Sequence, residues 1–305
     1  MNGSAGVQAR RSILAPMTGY DFGYTMAWTH AHLVPFAIAA LFTAAALWRR
    51  WPRWLAVGGA LVAVWALAGF FVVQVIMKAN APLDLPTQAF LPAGAGEVLD
   101  AGAGSGRSTV MVLLARPRAH VTALDIYSGH FGIEDNTPDR LRANAAVAGA
   151  ADRVDVVTGD MRAMPFPNAR FDAAVSVAAI DHLNRDGITK TLGEIARVLK
   201  PGGQFLLVVL NVDGWVRLAY PLPHGHGYFG HSPSAAFWRE QLESAGFLID
   251  EAGTRPALLY VLARTGSSST RMQFPRGDRE GGPAAADRRA PTRPTPLAAP
   301  RRTSP

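Results

Sequence analysis

The stretch VLDAGAGSG (98–106) ends an apolar run in an acidic side chain, Asp100, and then sets three glycines at alternate positions, Gly102, Gly104 and Gly106. Glycine reaches left-handed backbone conformations and lets a main chain approach a ligand with no Cβ in the way. The residues that follow, RSTVMVLLA, read as a helix, and a helix N-terminus attracts carboxylates and other anions. Strand, glycine turn and helix in this order form a cradle for a nucleotide-like ligand, although a tight strand-to-helix turn uses the same residues. The spacing is wrong for the dinucleotide fingerprint G-x-G-x-x-G, whose third glycine falls at position 107, where Arg107 stands.

Later runs end in further carboxylates. HVTALDIY brings Asp125 to a strand end, and a carboxylate there suits the two hydroxyls of a cis-diol. RVDVVTGD brings Asp160, followed by Met161. FDAAVSVAA leads into Ile180, Asp181, His182 and Leu183, and IARVLKPGGQFLLVV joins a helix to a strand through Pro201, Gly202 and Gly203.

The D-x-G-x-G-x-G loop, the two later carboxylates and the R-V-L-K-P-G-G turn, spread over roughly residues 90–264, resemble the class I S-adenosylmethionine-dependent methyltransferases. The resemblance implies an α/β fold, a doubly wound seven-stranded, mostly parallel sheet, with S-adenosylmethionine as cofactor. It implies cofactor contacts from Asp100, Ala101, Gly102, Gly104 and Gly106, from Asp125 and Ile126, from Asp160 and Met161, and from Ala178. Asp125 then takes the ribose hydroxyls; Asp160 takes the adenine amino group, with Met161 along the ring. A nicotinamide-dependent oxidoreductase is disfavoured by Arg107 and by the Asp160–Met161 pair. A non-catalytic S-adenosylmethionine-binding or regulatory module is the alternative function, and the intact Asp100, Asp125 and Asp160 speak against it.

Methyl transfer from a sulfonium is an in-line displacement that chiefly needs donor and acceptor aligned. A general base is needed only where the acceptor loses a proton early. Asp181 and His182 are the catalytic candidates, with His182 preferred because imidazole titrates near neutral pH; a cap at Asp181 and packing at His182 are the plain alternatives. His224, His226 and His231 in HGHGYFGH suit a lid over the acceptor, or a solvated loop; a metal site is the weaker reading, and none is expected. Tyr127 serves equally well as a cofactor-stacking ring or as core.

These residues need elements to hold them. The chain has 305 residues and no cysteine, so disulfides, thiolate metal sites and cysteine nucleophiles are excluded. Of its net charge of +7, +5 lies from residue 266 onward, where eight arginines face three acidic residues, so the catalytic region carries no stripe for nucleic acid. Residues 1–25 show no helical pattern. Two apolar stretches within 26–78 predict a two-helix transmembrane hairpin, and 54–77 holds no charge over the roughly 20 residues a span requires; the first stretch qualifies only if His30, His32 and Pro35 lie near the interface. A buried helical hairpin of a soluble protein is the alternative. Arginines on both sides leave the positive-inside rule near a tie. The site of cofactor synthesis then sets the expectation: a multi-pass membrane protein whose catalytic domain faces the cytoplasm and whose methyl acceptor is small, hydrophobic or lipid-like. Residues 79–95 read as a Pro/Ala linker, 96–265 as the catalytic domain, and 266–305 as a disordered Pro/Arg-rich tail.

Overall fold

The computed structural model describes residues 19–128, 133–221 and 233–266. The His224–His231 cluster and all but the first residue of the expected tail therefore lie outside the described residues. Strands β1 (Ala95–Ala101), β2 (Arg118–Asp125), β3 (Val154–Thr158), β4 (Phe171–Val177), β5 (Leu199–Leu210), β6 (Phe247–Arg255) and β7 (Leu258–Thr265) form one sheet. Their order in space is β3-β2-β1-β4-β5-β7-β6, parallel except for β7, which runs against both neighbours. The chain leaves β1 toward β3 and returns at β4, so the order reverses between β1 and β4. Open α/β sheets bind ligands outside the strand C-termini at such a reversal.

Both faces of the sheet are covered, which explains the apolar runs of β4, β5 and β7. Val98, Val121, Leu206 and Val208 face one way, onto α4 (Arg107–Ala115) and α5 (Pro138–Val147). Leu99, Phe205, Leu207 and Val209 face the other, onto α6 (Arg185–Val198) and α8 (Ala235–Ser244). Helix α6 supplies Ile188, Leu192 and Ile195, one stripe at helical spacing, and Asn184 caps it by accepting from Gly187 N at 2.8 Å. Helix α5 starts as its sequence predicts, with Thr137 as cap and proline in the first turn.

The segment 79–95 is not a free tether. Phe90 is fully buried, the Arg116 guanidinium donates to the carbonyls of Phe90 and Gln88, and Gln204 Oε1 accepts from Leu91 N at 2.6 Å. An arginine aimed at several carbonyls satisfies backbone acceptors that a strand would otherwise pair.

Ahead of it stand α1 (Met26–Thr29), α2 (Leu33–Trp48) and α3 (Arg53–Phe71), the last continued by a π-helical turn over Val72–Ile76. The first apolar stretch is not one helix: it breaks at His30–His32, ahead of Pro35, which has no N–H to continue a helix; there His32 is buried, its Nε2 paired with Ala219 O at 2.7 Å. That leaves α2 at 16 residues, short of the roughly 20 a span requires. Among the described residues one helix, Arg53–Ile76, is long and apolar enough to cross a membrane, with a mean hydropathy of 2.3 over its window and a third of that window buried. Two spanning helices therefore reduce to one on length. Small residues (Ala39 and Ala46; Ala56, Gly59, Ala66 and Gly69) lie buried in the pair, and a Cβ on Gly59 would meet Thr43 Oγ1 at 2.4 Å. The large side chains, among them Ile38, Leu41, Trp48, Leu61 and Val64, point outward and are exposed.

Candidate functional site

A cavity opens at the C-terminal ends of β1, β2 and β4, where the strand order reverses. Its wall contains Gly102, Gly104, Asp125, Ile126, Asp160, Met161, Ala178 and His182 from the sequence expectation, and also Ile133, Asn136, Gly159, Arg162, Ala179 and Leu183.

The glycine loop has the shape its spacing requires. Gly102 sits at φ +81, and a Cβ there would lie 2.4 Å from Ala179 Cβ and 3.7 Å from the Met161 side chain. Any larger residue would clash with Ala179 and strain the positive φ. Gly106 at φ +90 turns the chain into α4 and packs against Leu141 outside the cavity wall. Ala178, a non-glycine residue at φ +47, is held there as its N–H donates to Val208 O at 2.9 Å. Such strain persists where surrounding bonds enforce it, commonly at ligand sites.

Asp100 lies beneath the wall rather than on it. It is fully buried, and its Oδ2 accepts from Ser108 Oγ at 2.7 Å and Thr109 Oγ1 at 2.6 Å, which ties the first turn of α4 to the end of β1. Burial pushes its carboxyl up to about 6, against the two hydroxyl bonds, with the Asp125 charge adding to the rise. Ala101 is buried as well, its carbonyl accepting from Ser176 Oγ at 2.7 Å. Both shape the loop from behind.

Asp125 reaches into the cavity already braced. Its Oδ2 accepts from Gly104 N at 2.9 Å, and its Oδ1 from Tyr127 N at 2.7 Å and Asn136 Nδ2 at 3.3 Å. A carboxylate has about four acceptor positions, and three of those on Asp125 are used within the protein. Beside it, Asn136 is 8% exposed and its Oδ1 has no partner among the described residues. A buried acceptor without a donor costs free energy, and a ligand hydroxyl would supply one. Asn136 lies 11 residues past Asp125, beyond any strand-end pattern, and only the fold brings it here.

Asp160 is gripped by Arg162, whose Nε lies 3.0 Å from both carboxylate oxygens, with Nη2 2.6 Å from Oδ2; Oδ1 also accepts from Arg162 N. This guanidinium holds the Asp160 carboxyl below its usual range. Arg162 itself lines the cavity, a cationic plane that sequence reading passed over. Of the two catalytic candidates, His182 is on the wall between Ala179 and Leu183, in a short 3₁₀ turn, while Asp181 is buried behind it. Tyr127 packs with Ala103, Ala123 and Leu141, and burial raises its phenol well above the ordinary value; core is the better description of it. Among the described residues no group of three His, Cys, Asp or Glu side chains comes together.

The cavity thus offers hydroxyl acceptors at Asp125 and Asn136 and a carboxylate–guanidinium pair at Asp160 and Arg162. Residues 98–203 match the methyltransferase domain family. A ubiquinone/menaquinone biosynthesis C-methyltransferase from Methylobacterium nodulans is 37% identical over 110 residues, 36% of this chain and 40% of that protein. A 24-methylenesterol C-methyltransferase 2 from Oryza sativa subsp. japonica is 34% identical over 109 residues, 36% of this chain and 27% of that protein. The chain thus spans less than half the length of these curated relatives. Among solved structures, an O-methyltransferase family protein from Burkholderia thailandensis has the same fold, with a TM-score of 0.50 at 16% identity over 68% of this chain and 61% of that one.

Proposed function

We propose that this chain, built on the class I S-adenosylmethionine-dependent methyltransferase fold, moves a methyl group from S-adenosylmethionine to a small apolar acceptor of quinone or sterol type, while held to a membrane by residues 33–76. The cavity carries the first half of this reading. Gly102 leaves room beside Met161, Asp125 and Asn136 present acceptors for two ribose hydroxyls, and Asp160 with Arg162 edges the adenine side. Bound there, the cofactor supplies a methyl group activated by the adjacent sulfonium. The protein's part is alignment and exclusion of water. On this reading His182, on the cavity wall, accepts a proton from the acceptor where one must leave.

The hairpin supports the second half. Small residues inside and large apolar residues outside are the arrangement of helices packed in lipid, where close backbone approach replaces the hydrophobic effect as the packing force. Such an exposed apolar surface is costly in water. The hairpin also sits beside the cavity's edge of the sheet: Trp65 Nε1 donates to Leu218 O at 2.8 Å on α7 (Gly214–Ala219), the helix that follows β5. Since α2 is about 24 Å long against a hydrocarbon core of about 30 Å, the hairpin dips into the bilayer with both ends on the cytoplasmic side. The tip arginines Arg49, Arg50 and Arg53 then need not cross to the far headgroups.

The test is transfer of a labelled methyl group from S-adenosylmethionine into the lipid extract of the source membrane by the full-length protein. Label in an apolar quinone- or sterol-like product supports the reading. Tight S-adenosylhomocysteine binding with no labelled product in lipid or aqueous fractions favours the non-catalytic module instead.

A further inference from the structure

The chain on either side of the apolar hairpin closes on one short piece of the catalytic domain, residues 104–107. On the side where the chain enters the hairpin, Ser105 Oγ donates to Phe22 O at 2.8 Å, and both residues are buried. Asn144 Nδ2 donates to Asp21 O at 2.7 Å and to Ser105 O at 2.9 Å, so one amide bridges the entering chain and the loop. Tyr24 pairs as an isolated β-bridge with Ile133, whose Cδ1 stands 3.1 Å from where a Gly104 side chain would begin. On the side where the chain leaves, Arg107 Nη2 donates to the carbonyls of Met77 and Lys78, both at 2.6 Å, and Nε to Ala81 O at 3.3 Å. The same guanidinium lies 5.4 Å over the Tyr24 ring, with Nη1 3.3 Å from its hydroxyl. Arg107 therefore touches both ends of the hairpin at once, from the first residue of the helix that the glycine loop feeds.

The chemistry demands arginine. Three carbonyls and a ring face are met by one planar, always charged fork, which a lysine ammonium does not match. The loop needs such support: glycines at 102, 104 and 106 all have positive φ, and glycine loses the most conformational freedom on ordering. Where the dinucleotide fingerprint has a third glycine, this chain spends the position on a tether.

We propose that Arg107 is a positioning residue for the cofactor: by joining both ends of the hairpin to the Gly104–Gly106 loop, it couples seating of the hairpin to cofactor affinity. Coupling of this kind is reciprocal, so cofactor binding also steadies residues 77–81. The inference rests on the cofactor reading above, and its test separates the two.

Full-length protein in lipid nanodiscs is titrated with S-adenosylhomocysteine, and amide hydrogen exchange is followed with and without it. The wild-type chain binds and gains protection at residues 77–81. Arg107→Ala raises the Kd by about 5- to 150-fold, the usual span of such couplings, and loses the ligand-dependent protection there, while Arg107→Lys recovers only part of either. Ser105→Ala, which cuts the Phe22 bond alone and keeps the fold if the arginine variants do not, weakens binding in the same direction. Ligand-dependent protection is a readout that a merely structural arginine would not move. Unchanged affinity in folded Arg107→Ala or Ser105→Ala, or a wild-type chain that binds without protecting residues 77–81, overturns this inference alone. A wild-type chain that does not bind S-adenosylhomocysteine overturns the cofactor reading and this inference with it.

Discussion

Replacing Asp125 with alanine separates what the carboxylate does for the protein from what it does for the ligand. Three of its roughly four acceptor positions are used internally, by the N–H groups of Gly104 and Tyr127 and by the Asn136 amide. One is left for a ribose hydroxyl. A hydrogen bond to a charged group contributes about 1.5–3 kcal/mol, so alanine should raise the Kd for S-adenosylhomocysteine by about 10- to 150-fold. If the cofactor binds as proposed, the second hydroxyl falls to Asn136 Oδ1, a neutral acceptor worth about 0.5–1.5 kcal/mol, and Asn136→Ala should raise the Kd by about 2- to 10-fold. Because alanine at 125 also strands two backbone donors, thermal unfolding must be followed alongside isothermal titration of the full-length protein. A folded Asp125→Ala whose Kd stays within about threefold of wild type would place the ribose elsewhere. A larger loss from Asn136→Ala than from Asp125→Ala would refute the division of hydroxyls drawn from the lone-pair count.

Three further outcomes are expected. Asp100, raised from 3.8 to about 6 by burial, holds its proton more tightly folded than unfolded, so its contribution to stability is greatest below about pH 4 and is lost as the pH rises through about 6. That loss amounts to roughly 3 kcal/mol, and urea midpoints across this window should show the corresponding slope in wild type and not in Asp100→Asn; an unaltered slope would show that another group carries it. Removal of residues 1–81 should release the domain from membranes and weaken S-adenosylhomocysteine binding, whereas full-length protein that washes off membranes in carbonate would return the hairpin to a soluble role. His182→Gln should slow turnover of the identified acceptor by about 100-fold or more if proton removal limits the rate, with cofactor affinity intact; a loss of a few-fold would leave His182 a packing residue.

Local chemistry made much of this protein legible from its residues. The glycine loop, the strand-end carboxylates and the Pro-Gly-Gly turn depend on neighbours in sequence, so spacing alone located β1, β2 and β5 and the loop between β1 and α4. The apolar character of 54–77 was likewise plain, because hydropathy sums over consecutive residues. Distance in sequence hid the rest. Asn136 meets Asp125 across 11 positions, and Ser105 meets Phe22 across 83. His30, His32 and Pro35 mark the first apolar stretch as interrupted, but only the fold brings Ala219, 187 residues away, to the His32 imidazole. Arg107 read only as a departure from a fingerprint; its purpose lies in three carbonyls 26 to 30 residues earlier. Periodicity and turn chemistry act within a few residues, whereas a buried hydrogen bond is satisfied by whatever partner the packed chain delivers, and that only the tertiary structure decides.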